Sequence, residues 1–304
     1  MRHYILPLFA LGLLVLGSCS KKPNIIPDNN APYYGDVPTV LVQNYVNRLF
    51  IDLIGREPLD AEMEAEVKFL RDNELTIEAR KELATKLQTD TAWIEGDTSY
   101  NNAYYKRLYD LCKSRLIEGA SNSEIGQQIG IYHNGYIIDS INGNITGMQE
   151  KQAAIDKLQG IKNSEREYRM DSIGLNDMHA RMIDNYFYDL INMNTFNFIN
   201  ATFNDLYFRY PTQSEFTTAF DIIEYNSSST IFGQSAQNKE DYIGIVTETR
   251  EFYEGLIIWA YKTLIAREPT SQEVYDLMST FYYDHDFQYV QKTIVVSDEY
   301  ANFN

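Results

Sequence analysis

The chain has 304 residues, and its 26 Lys and Arg against 43 Asp and Glu give a net charge of −17. Because binding to a phosphate backbone needs clustered cations, this balance argues against a nucleic-acid partner. A hydrophobic content of 44% with a mean hydropathy of −0.38 is typical of a globular protein, not of a disordered or polytopic membrane protein.

Residues 1–18 predict a lipoprotein signal peptide. Arg2 supplies the positive start, and residues 5–16 form an apolar run that is shorter than the about 20 residues needed to span a bilayer. The run ends in Leu-Gly-Ser-Cys at residues 16–19, which resembles the lipobox of bacterial lipoproteins. By this resemblance Cys19 becomes the acylated first residue of the mature chain, with palmitate-type chains held in the membrane lipid. The alternative is an ordinary secretory signal with a chance cysteine.

The residues after Cys19 indicate where the anchor lies. Ser20 occupies the position at which lipoproteins of the inner membrane typically carry Asp, which favours the outer membrane. Surface-exported lipoproteins of Bacteroidota usually have an acidic run here, whereas this chain has Lys21 and Lys22, so a periplasm-facing orientation is favoured over the cell surface. Residues 19–40 contain four prolines and predict an extended tether.

Three copies of the pattern Leu-x-x-Arg-x-Pro-[Thr/Leu]-x-x-Glu organise the body of the chain. They contain Arg56, Pro58 and Glu62; Arg209, Pro211 and Glu215; and Arg267, Pro269 and Glu273. We interpret them as helical repeats at residues 41–99, 197–255 and 256–304. Each repeat is predicted to hold a helix, a corner, a capped helix, a third helix and an aromatic residue that plugs the core, such as Trp93 in the first copy.

The corner pattern favours architecture over chemistry. Proline excludes the helical conformation from the residue before it and so ends the first helix. Thr212 and Thr270, each followed three residues later by Glu, predict capping boxes; in the first copy Leu59 stands at the cap, and Asp60 is a candidate substitute. A cation at a helix end and an anion at a helix start are both favourable, so we predict no catalytic residue here.

Residues 100–196 form a middle segment between the first and second copies. Helices are predicted at 100–116 and 148–170, and helical character resumes at 176–204. The glycine-rich residues 118–147 predict a long loop, within which residues 131–138 are a candidate β-hairpin with Asn134-Gly135 at the turn. Another polar loop is predicted at 227–238. The fold class is therefore all-α, a helical repeat or bundle with one minor hairpin in the 119–147 region.

The few chemically distinctive residues point to no cofactor. Cys112 is the one cysteine besides Cys19, so an acylated Cys19 leaves no intramolecular disulfide, and the apolar periodicity around Cys112 predicts a buried thiol. Asp284, His285 and Asp286 lack a second spaced histidine, so we predict a surface turn and no metal site.

Three short segments match the O-glycosylation signal known from Bacteroidota, in which Asp precedes Ser or Thr and an apolar residue follows. The candidate acceptors are Thr91, Ser140 and Ser172.

The first copy carries a family resemblance. Residues 48–58 read Arg-Leu-Phe-Ile-Asp-Leu-Ile-Gly-Arg-Glu-Pro, and Glu66-Val-x-x-Phe-Leu70 follows. This resembles the helical domain that accompanies cytochrome c modules in planctomycete cell-surface proteins, and the third copy is also similar to phycobilisome-linker-type repeats. The resemblance covers about 50 residues per copy. It implies an all-α scaffold module without catalytic residues, and the absence of a Cys-x-x-Cys-His haem site means that the cytochrome association does not transfer.

These observations predict a bacterial outer-membrane lipoprotein that is not an enzyme and serves as a scaffold subunit of an envelope protein complex for secretion, uptake or outer-membrane assembly. Its partners would be membrane lipid, through acylated Cys19, and other envelope proteins. The alternative is a glycan-binding or glycan-processing lipoprotein, in which the 24 tyrosines would stack on sugar rings. A cleft lined by tyrosines and convergent carboxylates would favour the alternative, and an exposed apolar patch would favour the scaffold.

Overall fold

The computed structural model describes residues 37–94 and 97–303, which form an all-α protein, as predicted, with one small two-stranded sheet. The signal segment, Cys19 and the tether up to residue 36 lie outside the described residues. The helices are α1 (Thr39–Ile54), α2 (Asp60–Asp72), α3 (Ile77–Thr89), α4 (Tyr100–Leu116), α5 (Asn122–Ile141), α6 (Ile145–Arg169), α7 (Leu175–Ile183), α8 (Tyr186–Asn192), α9 (Thr195–Tyr207), α10 (Gln213–Tyr225), α11 (Lys239–Val246), α12 (Arg250–Ile265), α13 (Ser271–Asp284), α14 (Phe287–Val295) and α15 (Asp298–Ala301). No helix among the described residues is long and apolar enough to cross a membrane.

Most helices begin at a polar N-cap whose side chain accepts a hydrogen bond from the first turn. Ser121, Thr212 and Thr270 form complete capping boxes with the glutamate three residues later. In the first repeat Leu59 is the N-cap and offers no side-chain acceptor, while Asp60 is the first helical residue, so the substitution that we expected from Asp60 is wrong. The Glu62 carboxylate alone secures that start, by accepting from the Leu59 N–H at 2.7 Å.

The core is built on the long helices of the repeats. In α1 the apolar stripe from Val42 to Leu53 is buried, and α1 packs against α2, α3 and α4. In α12 the buried face continues around most of the helix, which contacts α9, α13, α14 and α15. Gly255 allows the closest of these approaches, because a Cβ atom there would lie 1.8 Å from the Leu206 carbonyl oxygen of α9.

The first and third repeats meet, although some 250 residues separate them in the chain. The Tyr45 hydroxyl donates to the Val295 carbonyl at 3.2 Å, and the Tyr300 hydroxyl donates to Asp52 at 2.8 Å. Arg48 also donates to the Tyr300 carbonyl at 3.2 Å. These contacts join α1 to the segment around α14 and α15, so the two ends of the described chain share one core.

The candidate hairpin at residues 131–138 is wrong, as is the long loop at 118–147, because most of this region forms α5. The Ser121–Glu124 capping box starts the helix, and Ile125 is buried under it. Gly135, expected at a turn, lies in mid-helix, where a Cβ atom would come within 3.3 Å of the Lys151 side chain of α6. Close packing against α6 therefore accounts for a glycine that we interpreted as a turn residue.

The small sheet of the described residues lies instead in the segment predicted as a polar loop at 227–238. Strands β1 (Ser229–Ile231) and β2 (Gln234–Ala236) pair antiparallel across Phe232 and Gly233. Both turn residues have positive φ, at 48° and 80°, which is the geometry of a tight hairpin turn. The expected plug Trp93 is also wrong, since its side chain is 74% exposed, whereas Tyr300 of the third copy is buried.

Candidate functional site

The three Arg-x-Pro corners have the same internal geometry. In each, the arginine directly follows the C-cap residue of one helix, and its Nη atoms donate two hydrogen bonds to the glutamate six residues later, which lies in the first turn of the next helix. The pairs are Arg56–Glu62, Arg209–Glu215 and Arg267–Glu273, with N–O distances between 2.7 and 2.9 Å. The Oε2 atom of each glutamate also accepts a hydrogen bond from the backbone N–H of the N-cap residue of that helix. One carboxylate therefore both caps the helix and binds the arginine.

A second carboxylate, which the sequence analysis missed, completes each corner. It lies at or just before the start of a later helix and accepts from the arginine Nε. The residues are Asp97 before α4, Glu251 in α12 and Glu299 in α15. Their distances along the chain from the arginine are not equal, so no fixed spacing marks them, but each stands within two residues of a Ser or Thr N-cap.

An aromatic ring six residues before each arginine lies near the guanidinium. The pairs are Phe50 with Arg56, Phe203 with Arg209 and Tyr261 with Arg267, at 5.6, 5.0 and 5.0 Å from the ring centroid. The residue just before each arginine adopts a left-handed conformation: Gly55, Phe208 and Ala266. The fixed spacing of the aromatic residue was available in the sequence and extends the repeat pattern upstream.

The ion pairs shift the pKa values of their carboxylates downward. The hydrogen bonds from Arg209 lower the pKa of Glu215 to about 2, and those from Arg267 lower the pKa of Glu273 to about 2. For Glu62, burial acts to raise the pKa, but hydrogen bonds from Arg56, the Leu59 N–H and Tyr100 outweigh it and hold the pKa below its usual value. All three carboxylates are therefore charged at neutral pH.

The corner arginines have little capacity left for a substrate. A guanidinium has five N–H groups, and Arg267 directs its nitrogens at Glu273, Glu299 and the Glu268 carbonyl through five hydrogen bonds. Arg209 forms the corresponding five with its own partners. This arrangement fits a structural clamp between three helix ends.

A cleft of about 500 Å³ lies apart from the corners, where the turn after α6 meets the junction of α13 and α14. Its polar lining consists of Tyr105, Tyr168, Asp171, Ser172, Asp177, Asp284, His285, Asp286 and Gln288. The Tyr105 and Tyr168 rings meet edge to face at 5.2 Å, and the His285 ring stacks on Tyr253 at 4.6 Å. The cleft thus combines aromatic rings, which can stack on the faces of sugars, with several carboxylates, which can accept hydrogen bonds from sugar hydroxyls.

The electrostatics of the cleft are negative. Burial raises the pKa of Tyr105, and the charges of Asp171 and Asp286 raise it further. His285 has a left-handed backbone at the end of α13, and Asp286 caps α14 by accepting from the Tyr289 N–H at 3.0 Å. Within residues 37–94 and 97–303, no group of three or more His, Cys, Asp or Glu side chains is arranged to hold a metal ion.

The remaining predicted residues are distributed over the molecule. Cys112 is fully buried in α4, and burial raises the pKa of its thiol to about 12. The candidate glycosylation acceptors Thr91, Ser140 and Ser172 are all exposed, and they belong to three separate segments.

A run of aromatic side chains on α9 and α10 forms a second surface feature. We define the aromatic patch as Phe196, Phe216, Phe220 and Tyr225, whose successive ring centroids are 5.1, 6.0 and 5.8 Å apart. Phe196 and Tyr225 are exposed and the two central rings are half-buried. Met193, three residues before Phe196, is also exposed. These neighbouring apolar rings form a candidate surface for a protein partner.

In comparisons with known proteins, no protein-family model, no curated protein and no solved structure matches this chain.

Proposed function

We propose that this protein is a lipoprotein, anchored to the outer membrane through acylated Cys19, that serves as a non-enzymatic helical scaffold subunit of an envelope protein complex. Secretion, uptake and outer-membrane assembly are the processes that such a complex would serve. The observation that carries the proposal is the aromatic patch, which offers a protein partner several apolar rings on rigid helices.

The corners support the same proposal, because the hydrogen-bonding groups of their arginines are already paired. Their arginines and glutamates are engaged with one another, so they stabilise helix ends and have few hydrogen-bonding groups free for a substrate. A scaffold needs this rigidity, because a partner surface that is already ordered costs less free energy to bind.

Two variants test the proposal in membranes of the native host. Cys19→Ala should move the tagged protein from the membrane fraction to the soluble fraction, because acylation supplies the anchor. The tagged wild-type chain, extracted in mild detergent, should co-purify with a stoichiometric envelope protein, and Phe196→Asp should abolish that association by placing a charge in the patch.

The matched control is Tyr283→Asp, which changes another exposed aromatic residue, 77% exposed on α13, away from the patch. Its co-purifying proteins should equal those of the wild type. Equal losses in both variants, or a wild-type chain that co-purifies with nothing, would contradict the scaffold proposal.

The cleft favours a second candidate function, the binding or processing of an envelope glycan. Its tyrosines and carboxylates are suited to the faces and hydroxyl groups of sugars. The test is binding of the purified protein to an array of bacterial glycans, where Asp284→Asn should weaken binding and Asp276→Asn, an exposed change on the same helix, should not. Absence of binding to any glycan on the array would count against this function.

A further inference from the structure

The cleft between the turn after α6 and the junction of α13 and α14 carries an unbalanced charge. Its lining contains no lysine and no arginine, but it contains four carboxylates, those of Asp171, Asp177, Asp284 and Asp286. None of the four forms a salt bridge with a described residue. The charge of Arg169 reaches Tyr105, but Arg169 is not part of the lining. A cationic ligand would therefore meet uncompensated negative charge in this cleft.

Much of the hydrogen-bonding capacity of these carboxylates is free. Asp177 and Asp286 cap α7 and α14, and each uses one oxygen, at 2.7 and 3.0 Å from a backbone N–H. The side chains of Asp171 and Asp284 accept no hydrogen bond from a described residue. A protonated amine brings three N–H donors and a positive charge, and hydrogen bonds from such a group to a carboxylate are stronger than those between neutral groups.

Tyr168 gives the same cleft an unused donor. Its ring meets that of Tyr105 edge to face at 5.2 Å, and its hydroxyl forms no hydrogen bond with a described residue. Burial raises the pKa of this hydroxyl well above its ordinary value, and the charges of Asp286 and Asp171 raise it further. The hydroxyl therefore stays protonated, and because a desolvated phenol without a partner is unfavourable, a ligand oxygen that accepts from it is favoured.

We propose that this cleft binds a sugar that carries a protonated amino group, as glucosamine does within a glycan. The amine is held by the carboxylates of Asp171 and Asp284, and a hydroxyl of the sugar accepts a hydrogen bond from Tyr168. The volume of about 500 Å³ lies within the range of small-ligand sites. The proposal deepens the glycan-binding candidate function, on which it rests, by naming the class of sugar.

Charge and hydroxyl groups together separate this ligand from its alternatives. A neutral sugar leaves the four carboxylates repelling one another, whereas an amine offsets part of that repulsion. Within residues 37–94 and 97–303, no three His, Cys, Asp or Glu side chains are arranged to hold a metal ion, so the charge is dispersed over the lining and fits a wider ligand. An alkyl amine without hydroxyl groups leaves the Tyr168 donor unpaired.

The first experiment compares two disaccharides by isothermal titration calorimetry on the full chain in mild detergent. The glucosamine disaccharide from chitosan and its fully N-acetylated form from chitin have the same rings, but acetylation removes the positive charges. At about pH 6, below the pKa of an amine and above that of an aspartate, the amine form should bind with a dissociation constant at least about tenfold lower. Added salt should weaken binding of the amine form alone.

The second experiment uses variants of the lining with the glucosamine disaccharide as the ligand. Asp171→Asn and Asp284→Asn should each raise the dissociation constant by about three- to tenfold. Asp276→Asn, at an exposed residue of α13, changes the net charge equally and should leave it unchanged. Tyr168→Phe should also weaken binding, without lowering the melting temperature, since the hydroxyl it removes has no partner among the described residues.

The outcomes separate this proposal from the function on which it rests. Equal affinity for the two disaccharides, or binding of other glycans on the array but of neither disaccharide, would overturn the amino-sugar proposal and leave glycan binding standing. Binding of no glycan at all would contradict both. Cadaverine, an amine without a sugar ring, should bind more weakly than the glucosamine disaccharide, and equal affinity would overturn the assignment to a sugar. Equal weakening by Asp276→Asn and Asp284→Asn would mean non-specific attraction to an acidic chain and would overturn the site.

Discussion

At the scale of single residues, the corner arginines show how a few charged groups can fix the direction of a chain. Arg267 holds Glu273 at the start of α13 and Glu299 in α15, so three segments converge on one guanidinium. These ion pairs are partly exposed, with about a third of the Arg267 and Glu273 side chains accessible, and their free-energy contribution is therefore modest. They constrain the geometry strongly, because two parallel hydrogen bonds hold the guanidinium and the carboxylate in one relative orientation.

We predict that Arg56→Ala, Arg209→Ala and Arg267→Ala each lower the free energy of unfolding by about 0.5–2 kcal/mol, because each loses the hydrogen bonds to the capping glutamate and a cation at the end of the preceding helix. Urea denaturation would measure it. The carboxylate pKa values of about 2 for Glu215 and Glu273 are depressed, so this stability is present above about pH 4.5 and is lost as the pH falls towards 2.

Arg250→Ala is the matched control for the corners, since Arg250 forms an exposed pair with Glu254 within α12. It should change the free energy of unfolding by less than about 0.5 kcal/mol. Loss of cellular function at one corner, with the stability of all three variants unchanged, would mean that the corner performs chemistry.

His179 is a second residue whose environment should be measurable, through its effect on stability at different pH values. It is fully buried beside Phe252 and Trp259, and its Nδ1 contacts the Leu175 carbonyl at 2.8 Å, which requires Nδ1 to carry the proton. Its Nε2 is buried and has no hydrogen-bond partner among the described residues. Burial, and then the charge of Arg115, lower the His179 pKa to about 3, so the folded protein keeps this imidazole neutral.

We therefore predict that His179 destabilises the protein in acid. Between pH 6.5 and about 3 the unfolded chain binds a proton that the folded chain excludes. This group therefore lowers the free energy of unfolding by up to about 1.4 kcal/mol for each unit by which the pH decreases. His179→Phe should remove that slope in urea titrations between pH 6 and 4.5. His133→Phe, at an exposed histidine, should retain it, and equal slopes in all three proteins would refute the assignment.

At the scale of elements, the contact between α9 and α12 depends on one missing side chain. A Cβ atom on Gly255 would lie 1.8 Å from a backbone oxygen that cannot rotate away, so the helices would have to separate. We predict that Gly255→Ala lowers the free energy of unfolding by about 1–3 kcal/mol. Gly244→Ala in α11, where a Cβ atom meets nothing within 4 Å, should be neutral or stabilising by up to about 1 kcal/mol. Thermal melting of both variants compares them directly, and equal shifts would contradict the close approach.

The same scale shows what the sequence could and could not predict. The proline and capping-box signals each lie within four residues of sequence, so the positions at which the corner helices α10 and α13 begin could be predicted. Helix α5 was not, because its glycines and Asn134 carry turn preferences that tertiary packing on α6 overrides. Asp97 could not be connected with Arg56, since a contact across 41 residues depends on how intervening helices pack.

At the scale of the whole molecule, the described repeats do not form an open row. In a linear solenoid each repeat contacts its neighbours alone, and its stability is approximately a sum of local terms. Here Arg80 of α3 is buried and pairs with Asp298 at 2.8 Å, and Gln88 of α3 donates to the Gln288 carbonyl at 3.1 Å. Because these contacts join the first repeat to the third, we expect residues 37–303 to unfold as one cooperative unit.

Tyr300→Ala tests this cooperativity. It removes a buried ring and the hydrogen bond to Asp52, and should lower the free energy of unfolding by about 3–5 kcal/mol. In urea, far-ultraviolet circular dichroism reports all repeats, while tryptophan fluorescence reports Trp259, buried in α12, and Trp93, exposed after α3. The transitions seen by circular dichroism and by fluorescence should remain coincident and shift to lower urea concentration together, because losing the contact between the third and first repeats destabilises both.

Tyr283→Ala, at an exposed tyrosine, is the control and should change the free energy of unfolding seen by either probe by no more than about 0.5 kcal/mol. A biphasic transition in Tyr300→Ala, with part of the helical signal retained at the wild-type midpoint, would mean that the repeats fold separately.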